Sequence, residues 1–332
     1  MRTAGRKSER TATSGKALKS KISDLAPALR EPFNRRFVPL VRQFLGTRKP
    51  WQDATLVELQ QLHRKAFGQE LSDQYPLEER DHCFKLIHYR MDDWHSKFGS
   101  TAIATFEEII KALRSGDDVA SDGFTSQLEE EHDNPFSSPQ GIGMYANWLL
   151  GDARKAAPFY WKRWNSSQDR EVRAASSFRV PSLRQNCTFA YHLAEILALD
   201  PEERIMEYPV GALTLATLGA QHALSHYRSG VWNPPEGRAG FFSEDNYGDT
   251  VVFKDGQEVE DNRLSRILQV ARNLSDEEWT KIYTAAYAVV ERRKVTKGRR
   301  GKKDGRAEGA DGAGAEGEVK TGADDDELML ME

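Results

Sequence analysis

His222 and His226 stand four residues apart in the run GALTLATLGAQHALSHYRSG, the spacing by which two imidazoles on one helical face can share a Zn²⁺. Ala223 follows the first of them, where a hydrolytic HExxH helix carries a Glu as general base, and no Cys lies within local reach. A third ligand therefore has to come from the loop beyond, from Glu244, Asp245 or Asp249. Without it, the two rings close off an apolar helix and bond to loop carbonyls, which is the expected arrangement. No catalytic residue and no cofactor are assigned, and His222, His226 and Asp245 stand as the metal candidates. A metal-dependent enzyme built on that pair and the 243–249 loop is the alternative to a non-enzymatic protein.

The other chemistry-bearing residues exclude more than they assign. His82, His88 and His95 recur along one stretch; the last two share a helical face two turns apart, too far for one ion, and read as polar edges of a packing face. Ser225 and Ser243 lack a GxSxG elbow, and neither a P-loop nor a dinucleotide fingerprint is present; Gly141-Ile142-Gly143 is a fragment. Glu107-Glu108, Glu202-Glu203 and Glu277-Glu278 sit where helix starts and solvated faces use acids. Phe159, Tyr160, Trp161 and Trp164, with Lys155, Lys162 and Arg163 among them, could stack nucleic-acid bases if exposed together, but burial is the commoner use of such rings.

The most specific signal is basic. Arg292, Arg293, Lys294, Lys297, Arg299, Arg300, Lys302 and Lys303 occupy a Gly-punctuated stretch with no acid between them. Two such clusters suit a nuclear import receptor or the phosphates of a nucleic acid. After them, residues 304 to 332 carry ten acids and two bases and close on Asp324-Asp325-Asp326-Glu327-Leu328-Met329-Leu330-Met331-Glu332. An acidic and apolar end of that kind suits basic proteins or a hydrophobic groove, or screens the basic run. Residues 1 to 21 hold seven Lys/Arg and one Glu, leaving the body from 22 to 291 at −10 within a total of −4. The start reads as a flexible basic arm, with a transit peptide as the second reading. A nuclear location follows from the basic run, and no membrane partner is expected because no apolar run is long enough to span. Cys83 and Cys187 are too few for a disulfide framework and read as reduced core thiols.

Helices must position all of this. Phe37, Leu40, Val41, Phe44 and Leu45 form a stripe ended by Gly46; Asp53 caps a helix closed by Gly68; a third runs from about Leu77 with Phe84, Ile87, Met91, Trp94 and Phe98 on one face. Ser100 or Thr101 opens a fourth that Gly116 stops, and the acidic stretch 116–140 is a surface loop or hinge between two lobes. Further helices start at Pro181-Ser182, Asp200-Pro201, Val210, Asp261 or Asn262, and Ser275, the last through a capping box, and helix ends near Arg292. Val210 to Arg228 is apolar on almost every side up to Gln221, so other helices must surround it, and Gly230 sits at its C-cap. Trp232, Phe241, Phe242 and Tyr247 in the Gly/Pro-rich loop should fold back on the bundle. Val251-Val252-Phe253 and Gln257-Glu258-Val259 suggest one hairpin. The fold class is mostly α: a multi-helix bundle over 23–292 with one small β-hairpin, between disordered charged tails at 1–22 and 293–332.

GALTLATLGAQHALSHYRSG with FFSEDNYGDT, together with NPFSSPQGIGMYANWLL and SFRVPSLRQNCTFAYHLAEIL upstream, resembles an uncharacterised domain family abundant in mushroom-forming (basidiomycete) fungi. The likeness spans roughly Trp51 to Arg293. It implies a helical domain, often with low-complexity flanks, and carries over no functional residue.

Overall fold

The computed structural model describes residues 20–115, 134–151, 183–197, 199–254 and 257–304. Met1–Val290 form one compact unit and Glu291–Glu332 a second. The fold is mostly helical with one two-stranded antiparallel hairpin. In chain order the elements are α1 (Pro27–Pro32), a π-turn (Phe33–Phe37), α2 (Val38–Gly46), α3 (Leu56–Gln74), α4 (His82–Arg114), α5 (Pro139–Leu150), α6 (Leu183–Leu197) and α7 (Val210–His226). The short α8 (Glu244–Tyr247), β1 (Thr250–Lys254), β2 (Gln257–Asp261), α9 (Arg263–Arg272) and α10 (Asp276–Asp304) complete it.

Local chemistry explains most boundaries. Pro32 and Pro39 lack the N–H a continuous helix needs, and the backbone between them widens into the π-turn before α2 resumes. Thr55, not Asp53, caps α3: its hydroxyl accepts from Glu58 N–H while the Glu58 carboxylate takes the Thr55 N–H. Gly68 does not end that helix but kinks it, with φ 77°. The capping box at Ser275 is present as expected, Glu278 accepting from the Ser275 N–H at 2.8 Å. In the hairpin, Thr250 pairs with Asp261 and Lys254 with Gln257.

Two helices run past their expected ends. The break expected at Ser100 or Thr101 is absent, because Gly99 serves packing: a Cβ there would lie 2.7 Å from Phe242 Cβ. Helix α4 therefore continues for 33 residues. Helix α10 passes Arg292 and continues to Asp304, since Arg and Lys are good helix formers. The acidic stretch is only partly described; Asn134 caps a 3₁₀ turn at Pro135–Ser137 and donates to the Leu113 carbonyl at the end of α4. Residues 116–133, the aromatic group 159–164 and both chain ends beyond 20 and 304 lie outside the described residues.

Helix α7 is the axis. From Gly211 to Leu224 only Gln221 is less than fully buried, and the helix contributes to each of three apolar clusters. Leu213 and Leu215 join the largest, with Phe33, Phe37, Trp94, Phe98, Phe189, Trp279 and Ile282. Ala220, Ala223 and Leu224 face Phe106, Tyr145 and Leu149, and Leu218 meets Tyr247, Leu264 and Leu268. Each buried Leu or Phe contributes roughly 1.5–3 kcal/mol over exposure. Helix α4 approaches so closely that a Cβ on Gly219 would lie 2.8 Å from the Phe98 carbonyl oxygen. Thr214 and Thr217 are tolerated inside because their hydroxyls donate to the carbonyls one turn earlier, Val210 and Leu213.

Candidate functional site

His222 and His226 meet the aromatics of the following loop at the C-terminal half of α7. Helix α7 ends at His226 with Tyr227 as its C-cap, not Gly230; Gly230, at φ 83°, turns the chain three residues later, its N–H donating to the Tyr227 carbonyl and its backbone so close to Pro139 that a Cβ would collide. The loop then doubles back over α7. Asn233 N–H donates to the His226 carbonyl at 3.0 Å, and Asn246 Nδ2 donates to the Arg238 and Phe241 carbonyls, closing the loop on itself. Its aromatics divide. Tyr247 is buried and Phe242 half-buried, whereas Trp232 is 37% exposed and Phe241 62% exposed, so burial of all four, as the pattern suggested, is only partly realised.

His222 and His226 are both buried, with ring centroids 4.6 Å apart and planes at 88°. That is edge-to-face packing. His222 Nδ1 lies 2.9 Å from the Tyr247 hydroxyl rather than from a loop carbonyl. Trp232 packs edge-on to both imidazoles and Phe242 lies against His222, while His226 Nε2 is buried with no hydrogen-bond partner. Burial, with His226 adding to it, holds His222 at about 4; burial likewise lowers His226. Burial pushes Tyr247 up to about 12, against a pull from Arg263, so the phenol stays neutral.

The loop acids do not join the imidazoles. Glu244 and Asp245 are exposed. Asp249 accepts from the Ser265 N–H and hydroxyl at the start of α9 and lies 3.7 Å from Lys49; burial raises its pKa, but these partners bring it below the ordinary carboxylate range. Among the described residues no three His, Cys, Asp or Glu side chains are grouped as metal ligands would be. An imidazole held near 4 stays neutral and is a weak base at neutral pH.

The remaining histidines scatter along α3, α4 and α6. His82 is exposed near Asp24, His88 packs on Phe84, and His95 is buried between Trp94 and Trp51, where burial lowers it to about 4. Trp51 in turn touches Phe242, so rings run without interruption from Trp94 to Trp232. His192 escaped notice in the sequence because its partners are remote. It is fully buried against Trp94, Phe98 and Phe189, fits only because Gly46 lacks a side chain, and has no partner for either nitrogen. Burial, then Arg42, lowers it to about 3. Nothing in the spacing of Phe189-Ala190-Tyr191-His192 distinguishes it from a surface histidine. Cys83 is buried and pushed up to about 12, an inert thiol.

No family model, curated protein or solved structure matches this chain. No helix among the described residues is long and apolar enough to cross a membrane.

Proposed function

We propose that this chain is a non-catalytic interaction module of the nucleus, a helical body that carries a cationic segment to an import receptor and to nucleic acid or other acidic surfaces. The observation behind this reading is the run from Arg292 to Lys303, eight Lys/Arg with no acid, in a chain whose remaining regions, apart from the first 21 residues, are net acidic. The body's charge opposes phosphate, so contact is made through the run itself. The run lies on helical backbone to Asp304. Gly298 and Gly301 each cost a helix about 1 kcal/mol relative to Ala, and like charges four apart, such as Arg293 and Lys297, cost a few tenths more. Opening the segment into an extended peptide for a receptor groove is therefore cheap.

Replacing the eight Lys/Arg by Gln tests it while sparing the backbone. A fluorescent fusion of the variant should spread through the cell where the parent concentrates in nuclei, and the purified variant should lose a salt-sensitive affinity for nucleic acid. Unchanged nuclear accumulation would refute the import role.

A further inference from the structure

We propose that residues 231–248 form an acid-released latch on α7, in which protonation of the His222–His226 pair undocks the loop and uncovers the ring-lined end of that helix. The geometry makes the pair intolerant of charge. Both rings are buried, 4.6 Å apart, and covered by Trp232 and Phe242. A proton on His226 finds no acceptor at Nε2, and two imidazolium ions at that separation repel each other in a dry setting.

Among the described residues no surrounding element supplies a counter-charge. Helix α5 carries none between Pro139 and Leu150. On α4, Glu107 accepts from the Tyr227 hydroxyl, and His95 lies beyond Trp51 and Phe242. On α9, Arg263 acts on Tyr247 and would oppose a cation there. From the loop and α8, Tyr247 presents a neutral hydroxyl, Glu236, Arg238, Glu244 and Asp245 are exposed, and Asp249 is held by Ser265 and Lys49. The C-terminal end of α7 favours a cation at His226, which offsets a small part of the burial penalty.

The loop can answer by moving because it is pinned at its ends and, between them, bonds α7 through Asn233 N–H to the His226 carbonyl and the Tyr247 hydroxyl to His222, both at the imidazole pair itself. Gly230 is wedged against Pro139 at one end and Asp249 bonds Ser265 at the other, while Asn246 ties the middle to itself. A histidine held at about 4 when docked and near 6.5 when released makes release about 30-fold more frequent at pH 5 than at pH 8.

Hydrogen exchange of the full chain, read by mass spectrometry at pH 8 and pH 5 with times scaled for intrinsic exchange, tests this. Segment 231–248 should lose protection about 30-fold at pH 5 while segment 82–114 keeps its own. Equal loss in both segments, or none in the loop, overturns the latch. A His222→Phe/His226→Phe variant that folds should keep its loop closed at pH 5; if that loop still opens, the assignment to these two residues is wrong. The wild-type comparison decides the question should the variant not fold.

Discussion

The two halves of α7 each lie against a buried imidazole, and they seal it differently. Around the N-terminal half, His192 is walled in by helices, with Trp94 and Phe98 from α4 and Phe189 from α6. At the C-terminal half, His222 and His226 are covered by a loop rich in Gly and Pro, whose Trp232 still reaches solvent. The penalty for charging a ring is of the same kind in both places. Its relief is not: a ring walled by helices becomes solvated only when the core comes apart, whereas one covered by a loop needs only that loop to lift.

The largest test of this contrast is truncation. Trp94→Ala, at a position with no exposure, should lower unfolding free energy by about 3–5 kcal/mol, and Trp232→Ala, at a position 37% exposed, by about 1–2 kcal/mol. Urea denaturation at pH 8 measures both, and equal losses would erase the distinction between sealed and covered halves. Next in size is acid sensitivity. The folded state holds His192 below its unfolded value, so its contribution is complete above pH 6.5 and drains as pH falls from there toward about 3. By pH 4.5 the loss is on the order of 3 kcal/mol. His192→Leu should make the stability curve between pH 8 and pH 4.5 shallower by about one proton, and parallel curves would show that this ring is not among the groups responsible. The smallest effect is expected from Asp245→Ala. An exposed acid with no part in the imidazole cluster should change stability by less than about 0.5 kcal/mol, and a larger loss at His222-dependent stoichiometric Zn²⁺ would return this residue to the site.

How far the sequence led depended on whether a signal was local. The Ser275 box, the hairpin and the all-round apolar face of Val210 to Leu224 all act within a few residues, and each is where its pattern placed it. The helix start expected at Ser100 or Thr101, beside Gly99, and the helix end expected at Gly68 both failed because glycine has two uses. One makes room for Phe242 inside an unbroken helix, and the other bends a helix without ending it. The imidazole cluster was half legible. The i, i+4 pair was visible, but Tyr247 as its partner, Trp51 as the link to His95, and His192 in the slot beside Gly46 join positions from 25 to more than 140 residues apart, which no spacing announces.

Helix α4 spans 33 residues, close to 50 Å at 1.5 Å per residue. Its first half supplies Trp94 and Phe98 to one apolar cluster, and its second supplies Phe106 and Ile110 to another. A single rigid spar thus runs under both, so neither cluster can melt without removing a wall from its neighbour. The body should lose its structure in one step, and damage at either end of the spar should be felt along its full span.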